Sequence, residues 1–174
     1  CSALKSIVAE NNNPKYFTED GVLFSGNGNE KTLVLYPIQK DGSVYIIPSD
    51  VVTIGKDAFK NNQHLEKIVV GENVTAIQSG AFSYTTIKSA YIPNSVTQLV
   101  DTFRSCTQLE WVVLEGNVTS ISYDTFTGTN SNLVLYTKND KLARPNAVKT
   151  FNKVSEYKCV NHLYGYFDVA PTCE

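Results

Sequence analysis

Apolar positions in this chain recur as a long repeated phrase. Val51-Val52-Thr53-Ile54-Gly55-Lys56-Asp57-Ala58-Phe59 is echoed by Val74-Thr75-Ala76-Ile77-Gln78-Ser79-Gly80-Ala81-Phe82. It returns in Val96-Thr97-Gln98-Leu99-Val100-Asp101-Thr102-Phe103 and in Val118-Thr119-Ser120-Ile121-Ser122-Tyr123-Asp124-Thr125-Phe126. The four phenylalanines stand 23, 21 and 23 residues apart. Self-similarity at such a period is the mark of a repeat solenoid, in which each unit buries its apolar face by stacking on its neighbours. Ahead of each phrase lies a short alternating run. In Leu65-Glu66-Lys67-Ile68-Val69-Val70 strand alternation turns Ile68 and Val70 inward and Lys67 and Val69 outward. Ala90 with Ile92, and Val112 with Leu114, are the matching inward pairs. Successive coils should therefore lay these strands side by side in a parallel sheet, closed behind by the Val-x-x-Ile-x-x-x-x-Phe arm. Phe59, Phe82, Phe103 and Phe126 should stack in a row inside.

The single domain spanning residues 1–174 divides by how well it keeps this phrase. Residues 1–9 match Cys106 to Leu114 in the placing of Cys, Leu and an apolar pair, so they read as the remnant of an earlier repeat of a longer protein. Residues 10–43 break the pattern. Tyr16 to Phe24 and Lys31 to Tyr36 read as two strands of an inserted β-hairpin joined by a Gly/Asn-rich turn, with Asp20-Gly21 suited to a turn just before the first strand. Residues 44–137 hold the repeats. From Leu133-Val134-Leu135-Tyr136 the phrase fades, and 138–174 reads as a C-terminal cap and tail, with helix-like spacing from Asp140 to Phe151 and a strand from Val154 to Tyr157. Asparagine gathers at the corners (Asn61, Asn62, Asn73, Asn94, Asn117), where it tolerates left-handed backbone and bonds locally.

These motifs together resemble one family. The pattern Val-Thr-x-Ile-x-x-x-Ala-Phe with Ala90-Tyr91-Ile92-Pro93, and the pairing of Thr18-Glu19-Asp20-Gly21-Val22-Leu23-Phe24 with Leu33-Val34-Leu35-Tyr36-Pro37, are similar to the BspA-like (Treponema pallidum-type) leucine-rich repeats. The resemblance covers nearly all of residues 1–137. Thr102 and Thr125 depart from it by replacing Ala, and the third repeat is one residue short before Phe103. It implies a right-handed leucine-rich-repeat superhelix of mainly short parallel β-strands with helical turns. It also implies an extracellular or cell-surface, adhesin-like role.

Charge removes some alternatives. A net charge of -2 with 18% charged residues offers no basic field for a nucleic acid backbone. No apolar run reaches the ~18 residues of a membrane span, and no secretory-type leader opens the sequence. With no Met anywhere, Cys1 does not read as a natural start.

Candidate chemistry is sparse. Cys1 and Cys106 occupy a repeat position where a small thiol fills the core. Cys159 and Cys173 flank a short tail and are a candidate disulfide. His162 lies near Cys159 without the second pair of ligands a zinc site needs, so no metal and no cofactor is expected. His64 and His162 are the only imidazoles, no serine sits in a nucleophile elbow, and the carboxylates are scattered, which argues against an enzyme. Gly26-Asn27-Gly28 lacks the third glycine and following helix of a phosphate loop. Asn73-Val74-Thr75 and Asn117-Val118-Thr119 fit the glycosylation pattern because the repeat itself demands Val-Thr there.

The outward sheet face carries the functional expectation. Register places Ile46, Val69, Tyr91 and Val113 in one row and Val44, Lys67, Ser89 and Trp111 in the next. An apolar stripe holding the chain's one Trp suits recognition of a protein or glycan, such as host matrix or a cell surface. Two plainer accounts stand beside it: such residues favour strands anyway, or the tail folds over them. The remaining alternative is a structural spacer that presents another domain.

Overall fold

A computed structural model describes residues 2–26, 30–115 and 118–137, and the backbone of the strand at 153–156. Cys1, the segment Asp140 to Phe151, Asn117, His162 and the Cys159–Cys173 pair lie outside the described residues. Three strands open the chain: β1 (Tyr16–Glu19), β2 (Val22–Ser25) and β3 (Lys31–Leu35). The coils follow, with β4 (Val44–Ile46), β5 (Val51–Ile54), β6 (Lys67–Val69), β7 (Ala76–Ile77), β8 (Ser89–Ile92), β9 (Gln98–Leu99), β10 (Trp111–Leu114), β11 (Ser120–Ile121), β12 (Val134–Thr137) and β13 (Lys153–Glu156).

The alternating runs build one six-stranded sheet in the order β13-β12-β10-β8-β6-β4. Every pairing in it is parallel. Its inward residues are those expected: Ile68, Ala90, Ile92, Val112 and Leu114 are at most 1% exposed. The arms form the second wall, where β5 pairs with β7 and β9 with β11, again in parallel. The sheet does not stop where the written phrase fades. Leu135 is buried like the inward residues before it, β12 continues the register of β10, and β13 adds a further parallel strand.

Between the walls runs the aromatic row. Phe59, Phe82, Phe103 and Phe126 are fully buried, with successive ring centroids 5.2, 5.5 and 5.5 Å apart. Tyr36 extends the row from the inserted segment, 4.9 Å from Phe59, and Tyr45 leans on both rings.

No helix occurs among the described residues, so the helical turns expected from the resemblance are here hydrogen-bonded turns. The reason lies in where the loop amides point. Phe59 N–H donates to Ala81 O, Phe82 N–H to Thr102 O and Phe103 N–H to Thr125 O, so these donors bind the next coil and are lost to any local helix. Left-handed residues bracket the first three loops and follow the Phe in the fourth. Asp57, Gly80 and Asp101 have φ of 56°, 72° and 51° two places before the Phe, and Asn61, Tyr84, Ser105 and Gly128 have 64°, 62°, 58° and 73° two places after it. Thr125 at the Ala position is buried yet satisfied, since its hydroxyl donates to Leu99 O at 3.1 Å.

The insertion differs from the expected two strands. Asp20 and Gly21 both adopt positive φ, 46° and 74°, the backbone of a type I′ turn, and so divide Tyr16–Phe24 into β1 and β2 rather than preceding it. The resulting three-stranded meander joins the arm wall, because β3 pairs in parallel with β5. Residues 2–9 form no strand. Ile7 N–H binds Gly21 O, and Leu4 O accepts from Gln39 N–H, so the segment is tied to the hairpin turn instead of to β4.

Candidate functional site

The parallel register of the main sheet brings the expected outward residues together. Ile46 pairs with Val69, Val69 with Tyr91 and Tyr91 with Val113, which makes one row across four strands. Val44, Lys67, Ser89 and Trp111 make the second row in the same way. Both rows continue one strand further than the sequence pattern suggested, to Tyr136 and Val134 on β12. The signal for these two was present, because Leu133 and Leu135 keep the inward spacing of the repeat.

Exposure along the rows is uneven. Val44 and Ile46 on β4 are 49% and 48% exposed, and Lys67, Val69 and Tyr91 are half-buried. Ser89 is buried, Trp111 is 9% exposed and Val113 is 0% exposed. The expectation of an open stripe therefore fails at Trp111 and Val113. These two form a small apolar cluster of their own, with Tyr91, Val134 and Tyr136 packed against it. Side-chain size gives part of the reason: a β-branched residue between two tyrosines is shaded by both rings, whereas Val44 and Ile46 sit on the outermost strand.

Charge borders the face on one side. The residues just before the strands, Glu66, Lys88 and Glu110, alternate in sign along a backbone ladder in which Lys88 N–H donates to Glu66 O and Glu110 N–H to Lys88 O. Lys88 Nζ lies 3.0 Å from Glu66. These residues rim a shallow groove of about 260 Å³ floored by Ser89 and Trp111 and ending at Val44. On the other side, Tyr91 Oη donates to Glu72 at 3.1 Å, which fixes the ring over the face. A face of this kind offers apolar contact, an aromatic edge and a few charged groups, the mixture found at protein interfaces.

Among the described residues, His64 and Cys106 stand apart from one another. His64 is exposed and its Nε2 meets Gln39 Oε1 at 2.7 Å, with no carboxylate or nucleophile at hydrogen-bonding distance. Cys106 is buried, its Sγ donating to Phe82 O at 3.0 Å and touching the Thr85 hydroxyl, and burial pushes its thiol pKa up. A raised pKa makes a poor nucleophile, so Cys106 acts as a packed core residue. Among the described residues no three His, Cys, Asp or Glu side chains gather where they could hold a metal ion, and no helix is long and apolar enough to cross a membrane.

Comparison with known proteins agrees with this architecture. The profile of the BspA-type leucine-rich repeat region matches residues 42–155 in six copies. A leucine-rich cell surface protein of Faecalibacterium prausnitzii has a similar structure, with TM-score 0.76 and 23% identity over 92% of this chain and 43% of its own. The pneumococcal vaccine antigen PcpA is similar at TM-score 0.67 and 20% identity, over 89% and 51% of the two chains. A leucine-rich repeat protein of Eubacterium ventriosum is similar at TM-score 0.59 and 25% identity, over 78% and 42%. This chain thus spans about half or less of each of those structures. No curated protein matches it. The six matched copies cover well over half of the chain, coincide with the stacked coils and continue through β13, and on that ground the chain belongs to the BspA-type leucine-rich repeat family.

Proposed function

We propose that the chain is a non-enzymatic binding module of a cell-surface or secreted, adhesin-like protein, and that it engages a protein or glycan through the open half of the outer sheet face. The observation that carries this reading is the contiguous row Ile46–Val69–Tyr91 beside Val44 and Lys67, where apolar side chains stay accessible on adjoining strands. Soluble proteins seldom leave such a patch without a use. The cell-surface description of one structural relative and the antigen description of another support an extracellular setting. Ile46, Lys67, Val69 and Tyr91 are placed to touch a ligand, whereas Ser89, Trp111 and Val113 support the face from beneath.

The test is a binding survey against extracellular-matrix proteins and immobilised glycans, comparing the wild type with Ile46→Asp and Tyr91→Ala. Both variants should lose most of the retention while keeping the wild-type melting temperature within a few degrees. Unaltered retention by both sinks the reading. A second reading, a structural spacer that presents another domain, draws on the burial of Trp111 and Val113, which shrinks the free face. A full-length protein with one coil deleted separates the two, since a spacer keeps partner binding and a binding face loses it.

A further inference from the structure

The most unusual polar arrangement lies where the inserted hairpin meets the solenoid, away from the sheet face. Lys31 opens β3 and pairs in register with Val51, the first residue of β5, so it faces Asp50 in the turn that leads into that strand. Its side chain is 3% exposed. The ammonium nitrogen is 3.3 and 3.1 Å from the two oxygens of Asp50 and 2.5 Å from Glu19 Oε2 at the end of β1. Near-equal distances to both oxygens put the nitrogen opposite the Asp50 carboxyl carbon. The rings of Phe24 and Phe17 lie 4.3 and 5.4 Å from it and keep water off that side.

A surface ion pair between flexible side chains contributes little, and burying a lysine for that purpose alone is costly. Here strand β3 holds an amine against a carboxyl group in the turn that enters β5, with a second carboxylate from the end of β1 touching the same amine. Held geometry of this kind turns an improbable encounter into an intramolecular one. We infer that Lys31 and Asp50 are a site of self-catalysed amide formation, with Glu19 as the proton relay. Glu19 takes a proton from the Lys31 ammonium, leaving a neutral amine whose lone pair attacks Cγ of Asp50. Glu19 then returns the proton to one Asp50 oxygen, which leaves as water once a second proton from nitrogen joins it. The balance closes without any other reagent: one ammonium and one carboxylate become one amide and one water, and nothing is oxidised or reduced. Asp50 and Glu19 are about half exposed on their outer sides, which gives the water its exit.

The bond would close the chain from β3 to β5 and fasten the hairpin to the arm wall, so that neither a pulling force nor a protease could peel it away. It rests on observations separate from those behind the binding reading, and either can fail alone. The experiment is intact-mass spectrometry of the purified chain followed by tryptic mapping. The wild type should weigh one water less than its sequence, and the peptides holding Lys31 and Asp50 should appear as one branched species. Lys31→Arg preserves the positive charge and both ion pairs but should restore the full mass, and Glu19→Gln should leave most of the protein unlinked. A wild type at full sequence mass, with Lys31 and Asp50 on separate peptides, overturns the proposal and leaves an ion triad. Loss of water mapped to any other pair of residues overturns it equally.

Discussion

Removing Phe82 tests how strongly the aromatic row holds the coils together. The ring is 0% exposed and stands between Phe59 at 5.2 Å and Phe103 at 5.5 Å. Truncation to Ala deletes its buried surface and leaves a cavity, at about 3–5 kcal/mol. Two ring contacts disappear with it, each worth about 0.5–1.5 kcal/mol beyond burial, which places Phe82→Ala toward the upper end of that range. A domain of this size has about 5–15 kcal/mol in all. The variant should thus lose a large share of its stability in a guanidinium titration followed by circular dichroism. Phe82→Leu, which keeps most of the volume but no ring, should lose about 1–3 kcal/mol, the stacking share alone. Position matters as well as size, because a solenoid transmits stability only between neighbours. Weakening a middle coil should split the transition or lower its denaturant slope, as the coils on either side uncouple. A loss below about 1 kcal/mol for Phe82→Ala would refute the reasoning, for it would mean that the adjoining coils close the gap unaided.

Two further outcomes follow from single residues. Asn62 is a buried corner amide whose Nδ2 donates to Pro37 O while its Oδ1 accepts from His64 N–H and Leu65 N–H; Asn62→Ala strands two buried backbone groups and a part-buried one and should cost about 2–4 kcal/mol in the same titration, with a cost under about 0.5 kcal/mol counting against it. Tyr36 is buried in the row, and burial first, then the charge of Asp20, pushes its phenol up to about 12. The unfolded phenol ionises near pH 10, so the folded chain holds its proton more tightly; the stability from this is complete below about pH 10 and is lost as pH climbs towards 12, by about 2–3 kcal/mol in total. Tyr36→Phe should flatten that alkaline loss in part, leaving the share of Tyr45, whose phenol burial and then Tyr36 also push upward.

What was legible in the sequence is what the period dictates. Ile68, Ala90, Val112 and the four phenylalanines are buried because their positions recur, and a recurring position meets its own copy in the next coil. Strand register needed no further information, since a parallel stack aligns Val69 with Tyr91 as soon as the repeat length is known. Local detail without a copy was harder. Asp20-Gly21 is a strong hairpin dipeptide, yet the apolar run around it reads as one strand, and only the positive φ of both residues shows it cut in two. Lys31 looks like any strand lysine in the sequence, because its carboxylate partners lie 12 and 19 residues away on other strands.

The outer face shows the limit most sharply. Alternation reports which side of the sheet a residue occupies, and the parallel register lines up the members of both rows. It carries no information about what stands above that side. Val69 and Val113 occupy equivalent positions in the coils on either side of that of Tyr91 and have the same side chain, yet one is half-buried and the other is 0% exposed. The difference therefore comes from the neighbours and not from the residue. Tyr91 flanks both valines, so the rings peculiar to Val113 are Trp111, two residues before it where Val69 has Lys67, and Tyr136, one strand beyond the point where the phrase fades. Recognition on a solenoid depends on such non-recurring neighbours, because identical coils offer a ligand no reason to prefer one register over the next. Ile46 and Tyr91 are accordingly the residues to vary first: they share the row's geometry with Val113 but keep access to solvent. Ile46→Asp places a charge where only a ligand would bury it, so its effect reads on binding rather than on the core.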